Sequence, residues 1–134
     1  MNKTEFDKVR TLPLHSSWGV KEMSAENGKS NITAIVGPDM LNPAGMMHGG
    51  LLYALADVCA YIALLSVLDE GQSGVTHQIN FQVMRPVSLG DEISLVSELI
   101  KRGRTLTFLE TRGYVNNKLV ISATITKSMV LLVR

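Results

Sequence analysis

Within the run LLYALADVCAYIALL, residues 51–65, Asp57 is the only side chain that carries a charge at neutral pH. A carboxylate set among Leu, Ala, Val and Tyr is costly unless it is hydrogen-bonded or put to use, which makes Asp57 a candidate nucleophile or general base. Just upstream, Asn42-Pro43-Ala44-Gly45-Met46-Met47-His48-Gly49-Gly50 brings two glycines to the start of the same run. Glycines there let a ligand approach the backbone. The unpaired N–H groups of a first helical turn, with the positive end of the helix dipole, stabilise developing negative charge. That is the chemistry of an oxyanion hole, with the Gly49 amide as its donor.

The spacing of these two features limits how they cooperate. Gly49 and Asp57 are eight residues apart, so at 1.5 Å rise per residue they stand about 12 Å apart along one helix. Reacting atoms must approach to about 3–3.5 Å. One helix therefore cannot bring both groups to one carbonyl. An antiparallel twofold pairing of two such helices can, with Gly49 of one subunit facing Asp57 of the other. A homodimer is expected, with two equivalent sites.

The elements that must hold this arrangement follow from periodicity. Residues 49–68 are apolar at 16 of 20 positions and on all sides, so they form one helix that must be wrapped. Phe6, Val9 and Leu12 have helical spacing, which predicts a short lead-in helix ended by Pro13. Residues 18–24 and 30–36 read as two strands of a hairpin turned at Ala25-Glu26-Asn27-Gly28-Lys29. A loop over 37–47, with Pro38, Asn42, Pro43 and Gly45, delivers the chain to the helix. After a turn over 69–74, residues 77–83 alternate, with Ile79, Phe81 and Val83 opposite Gln78, Asn80 and Gln82. Arg85-Pro86 ends that strand. Residues 91–101, 105–115 and 118–133 give three more strands, with turns at Leu89-Gly90, Arg102-Gly103-Arg104 and Asn116-Asn117. Short turns imply antiparallel neighbours. The expected fold is α+β: one domain over 1–134, with a long central helix wrapped by an antiparallel sheet of about five or six strands. A sheet that covers part of an all-round apolar helix leaves a face for a second subunit.

Composition narrows the partners. Thirteen basic against twelve acidic residues give a net charge of +1, so no global field recruits nucleic acid or an anionic membrane. Asp57 sits near the middle of the most apolar stretch, and a mid-span aspartate costs roughly 2.5–3.5 kcal/mol on insertion, so a buried helix is expected there and not a membrane span. No apolar export signal opens the sequence. Cys59 is the single cysteine, and His15, His48 and His77 lack metal-ligand spacing. The expectation is a reducing, cytoplasmic setting, no metal and no cofactor.

The asparagine six residues before HGG, the HGG itself, and the aspartate nine residues after its histidine resemble the PaaI branch of hotdog-fold thioesterases, related to phenylacetate-pathway and human acyl-CoA thioesterase members. The resemblance covers nearly the whole chain. It implies the hotdog fold and an acyl-CoA substrate. It also implies Asp57 as nucleophile or general base, Gly49 as carbonyl polariser, and Asn42 with His48 positioning carbonyl or water. Thr76, in Gly74-Val75-Thr76, falls where relatives place a water-holding hydroxyl, and would join Asp57 from the opposite subunit. Lys101, Arg102 and Arg104 are implied in binding CoA, with Arg85 a further candidate. A homotetramer built from two dimers is implied by the resemblance alone.

Each assignment has a plainer alternative. Asp57 can be a core aspartate with a backbone or hydroxyl partner, His48 a helix cap, Asn42 an Asx turn before Pro43, and Thr76 a strand former. The three cations can be a solvated hairpin tip. Tyr53, Ala60, Tyr61 and Leu64 share Asp57's side of the helix and read as core; Cys59 reads as inert packing. The expected reaction is thioester hydrolysis to free acid and CoA, with an aryl or medium-length acyl group equally compatible. A non-catalytic acyl-CoA-binding module is the rival, and a dehydratase on the same fold a third reading.

Overall fold

A computed structural model describes residues 1–132. Two short helices lead in, α1 (Lys3–Thr11) and α2 (Pro13–Ser17). Pro13 ends the first as expected and opens the second, where its missing N–H costs nothing. Six strands follow: β1 (Val20–Glu26), β2 (Lys29–Ile35), β3 (Gln72–Val83), β4 (Glu92–Arg102), β5 (Leu106–Val115) and β6 (Lys118–Leu131). The long helix α3 (Gly49–Leu65) lies between β2 and β3, after a 3₁₀ turn at Pro38–Met40. The strands form one antiparallel sheet in the order β1-β2-β4-β5-β6-β3.

The boundaries that move most lie on either side of the turn after α3. α3 stops at Leu65, and β3 starts at Gln72, taking over residues that read as a turn. Pairing with β6 along the whole of β3 explains this, since glycine and serine at 73–74 are held by the ladder despite weak strand preference. Val133, expected as the end of β6, lies outside the described residues. The hairpin turns behave as their sequences demand: Asn27 with Gly28, and Asn116 with Asn117, all take positive φ.

The concave face of the sheet wraps α3. Ala56, Cys59, Ala60 and Ala63 are fully buried against it, and their small size lets the strands come close. Close enough, in fact, for sheet hydroxyls to bond the helix backbone: Ser30 donates to the Cys59 carbonyl at 2.6 Å and Thr111 to the Ala56 carbonyl at 3.2 Å. Leu52, Leu55, Ile62 and Leu64 complete the core with Ile32, Leu95, Leu109 and Ile125 from the strands.

Two bulges set which side chains face the helix. Between Thr76 and Gln78, β3 advances two residues while β6 advances one, from Lys127 to Thr126. The extra residue, His77, reverses the alternation, so Thr76 faces α3 although Ile79 and Phe81 face it too. The same happens in β4, where Ile100 is extra and Arg102, opposite Thr107, turns to the helix side.

Candidate active site

The first half of the site is the entrance to α3. Asn42 Oδ1 accepts from the Ala44 and Met46 amides at 2.9 and 3.1 Å, so the Asx turn is present and builds the loop. The Met47 amide donates to the Val87 carbonyl at 2.7 Å and the His48 amide to the Met40 carbonyl at 2.8 Å, anchoring the last residues before the helix. His48 is the N-cap: its Nδ1 accepts from the Gly50 amide at 3.0 Å. The neutral ring therefore carries its proton on Nε2 and presents a donor. The Gly49 N–H has no acceptor among the described residues, and nothing crowds the position a Cβ would take. It opens into a cleft of about 340 Å³ lined by Asn42, Met46, Leu52, Met84 and Arg85.

The second half lies two helical turns on. Thr76 donates its hydroxyl to Asp57, whose oxygens lie 2.8 and 2.9 Å away. The Lys127 ammonium reaches both members, at 2.8 Å from Asp57 Oδ1 and 2.8 Å from Thr76 Oγ1. Lys127 has 3% of its side-chain surface exposed and Asp57 has 27%, so the cluster is closed behind and open in front. Burial pushes the lysine's pKa down from 10.5, and the Asp57 charge and hydrogen bond oppose that. The ammonium also sits 5.4 Å from the centre of the Tyr61 ring.

Lys127 did not stand out from the motifs, yet the alternation of β6 contained the signal. Ile121, Ala123, Ile125 and Lys127 fall on one face by period two, and the first three are buried. A lysine on such a face requires an anion.

The structure brings Asn42, His48 and Gly49 together at one end of α3, and joins Asp57 to Thr76 at the middle. It separates the two groups along the helix within the chain. Gly49, Gly50, Tyr53, Ala54 and Asp57 form an incompletely covered stripe, with Tyr53 meeting Phe81 of β3 edge-on at 5.9 Å. Tyr53 is exposed and Tyr61 half-buried, whereas Ala60 and Leu64 are core.

The cations divide. Arg102 and Arg104 line a cleft of about 510 Å³ with Gln72, Met129 and Leu131. Arg102 also donates to the Val67 carbonyl beyond the end of α3, at 3.0 Å. Lys101 pairs with the exposed Phe108 on the outer face. Arg85 stands by the Gly49 cleft, at the other end of β3. Arg102, Thr107, Lys127 and Thr76 form one row across four strands. At about 4.8 Å per strand, the row puts Arg102 about 14 Å from Thr76.

Cys59 is buried, and burial pushes its thiol pKa up, as suits packing. Among the described residues, no three His, Cys, Asp or Glu side chains gather as a metal site, and no helix is long and apolar enough to cross a membrane.

Known proteins share both the sequence and the architecture. Human acyl-coenzyme A thioesterase 13 is 35% identical over 86 residues, 64% of this chain and 61% of that protein, so the chain matches less than two thirds of that relative's length. The Escherichia coli PaaI protein of the phenylacetic acid degradation operon superposes with a TM-score of 0.84 at 21% identity, covering 95% of this chain and 94% of that one. A hypothetical thioesterase of Streptococcus pneumoniae TIGR4, solved with coenzyme A, gives 0.78 at 25% identity over 84% of this chain and 88% of its own. The thioesterase superfamily model matches residues 44–125, from the loop before the glycines to the middle of β6. With more than half of its length under that model and a helix wrapped in a six-stranded hotdog sheet, the chain belongs to the thioesterase superfamily.

Proposed function

We propose that this chain, acting as a single domain, hydrolyses an acyl-CoA thioester to free acid and CoA, without metal or redox cofactor. The observation that carries the reading is the pairing of an unsatisfied Gly49 N–H at the start of α3 with a hydrogen-bonded Asp57 carboxylate on the same open stripe. Gly49 polarises the thioester carbonyl and holds the oxyanion. Asp57 either attacks the carbonyl carbon or takes a proton from water that does so. His48 donates from Nε2 to carbonyl or water and is not the base, because Nδ1 is already occupied. Asn42 has its Nδ2 for the same purpose, while Thr76 orients Asp57 and the water. The human relative's name and the CoA in the pneumococcal structure support the substrate class.

Two copies complete each site. Tyr53 lies midway between Gly49 and Asp57, against Phe81. A twofold axis through that pair sets Gly49 opposite the partner subunit's Asp57. It also pairs the open edge of β3, where Val75, Val83 and Met84 are exposed. CoA runs from the thioester toward Arg102 and Arg104, about 14 Å away along the sheet row, a span that the extended pantetheine arm covers. Lys101 meets the outer part of the nucleotide, and Arg85 reaches the phosphates from the partner. The apolar cleft beside Gly49 takes an aryl or medium-length acyl group. A tetramer of two dimers and a cytoplasmic location complete the proposal.

The test is thiol release from a panel of aryl- and alkyl-CoA thioesters by the wild type and Asp57→Ala. Turnover of at least one substrate, lost in the variant, is expected. Tight binding without turnover in either protein identifies an acyl-CoA-binding module instead. Single turnover in labelled water then separates the two routes, because label enters Asp57 only if the carboxylate attacks.

A further inference from the structure

Among the described residues, Lys127 is the one lysine or arginine that is buried, and it is buried on Asp57. Its ammonium, 3% exposed, has three protons to place and finds Asp57 Oδ1 and Thr76 Oγ1, each at 2.8 Å, with the Tyr61 ring at 5.4 Å. Thr76 accepts from Lys127 and donates to Asp57, so the three side chains close a ring of hydrogen bonds. The Thr76 hydroxyl reaches both Asp57 oxygens and Lys127 reaches Oδ1, so the carboxylate is fixed in orientation while 27% of its side chain stays open. The bulge at His77 and the register Thr76↔Lys127 make the ring possible, because they set both residues on the helix face of adjacent strands.

We infer that Lys127 is a positioning residue for the thioesterase reaction, a buried cationic clamp that fixes Asp57 and Thr76 in the reactive arrangement. The inference rests on the hydrolase reading. Lys127 acts through the other two side chains and needs no contact with substrate. It must be charged to do so. Other ionisable groups around it are Tyr61 on α3, bonded to Ser73 at 2.7 Å, His77 on β3, and Glu5 and Lys8 on α1, which act on Tyr61. Across β5 its partner is the neutral Thr107.

A lysine whose pKa burial lowers from 10.5 loses its charge as pH rises through that lowered value, so activity that needs the ammonium falls there. Lys127→Met, confirmed as folded by circular dichroism, is expected to lower kcat roughly 10- to 100-fold with KM within about threefold. Lys127→Arg, which stays charged at any accessible pH, is expected to recover most of the loss and to move the alkaline limb of kcat upward. Independently of turnover, NMR titration of the Lys127 side chain should show its pKa falling further in Asp57→Ala, where the charge and hydrogen bond that oppose burial are gone. A folded Lys127→Met with kcat within about threefold of wild type across the pH range overturns the inference, as does a Lys127 titration that Asp57→Ala leaves unmoved. A wild type inert on every acyl-CoA, with the titration still shifted, supports the clamp and overturns hydrolysis.

Discussion

Position 49 offers a way to delete one hydrogen atom from the proposed oxyanion hole. Proline suits the first residue of a helix, where its fixed φ fits and its N–H would have no intrahelical acceptor. His48, the preceding residue, already has the extended φ of −61° and ψ of 129° that a following proline requires. Nothing lies within 4 Å of a Cβ at this position. Gly49→Pro is therefore expected to fold with a Tm close to wild type and to lower kcat about 10²- to 10³-fold, measured by thermal melting and thiol release. Undiminished turnover would remove Gly49 from the chemistry. At this scale the sequence was most informative where a residue type is unusual for its surroundings. Asp57 in an apolar run and two glycines at a helix start were visible because each violates its context. Lys127 violates its context equally, but its anion lies 70 residues away, and only the fold brings the two together.

The elements were legible where period and turn chemistry agree, as in the hairpin at Asn27-Gly28 and in the alternation of β4, β5 and β6. The bulges were not, because an extra residue such as His77 or Ile100 keeps the pattern intact on either side and only changes which face it serves. That shift decides that Arg102 and not Lys101 turns toward the helix. Strand-to-helix distance was hidden as well, and here glycine sets it. A Cβ on Gly74 would lie 2.6 Å from Leu64 Cδ2 and 3.3 Å from Lys127 Cβ, two residues before Thr76. Gly74→Ala should push β3 off α3, costing about 1–3 kcal/mol of stability and also lowering the kcat of the folded protein, since Thr76 and Lys127 move away from Asp57. Gly113→Ala is the control. Its Cβ would lie 2.6 Å from Ile121 Cγ1, well away from the cluster on β5. A similar loss of stability with kcat preserved is expected there. Urea unfolding and steady-state kinetics on both variants check the contrast; equal kcat effects would deny β3 its special place.

At the scale of the whole molecule, the deciding quantity is the separation of about 12 Å that eight residues of α3 impose between Gly49 and Asp57. The structure keeps both on one continuous helix, so no rearrangement of side chains brings them to one thioester. The exposed stripe with Tyr53 on α3 and the uncovered twelve-residue edge of β3, where Val75, Val83 and Met84 are exposed, are surfaces left open within the single chain. In the proposed dimer, pairing of these surfaces would give each site its Gly49 from one subunit and its Asp57 from the other. The arrangement makes a quantitative prediction for mixed dimers. Gly49→Pro and Asp57→Ala are each expected to be nearly inactive alone. In a dimer of one of each, one site combines both lesions, and the other receives an intact Gly49 and an intact Asp57. After unfolding and refolding an equal mixture, half of the dimers are mixed and half of their sites are whole, so activity should return to about a quarter of the wild-type value. Measured thiol release near that level assigns the two groups to different chains. No recovery, in a sample shown by differently tagged subunits to contain mixed dimers, would mean that each chain carries its own complete site.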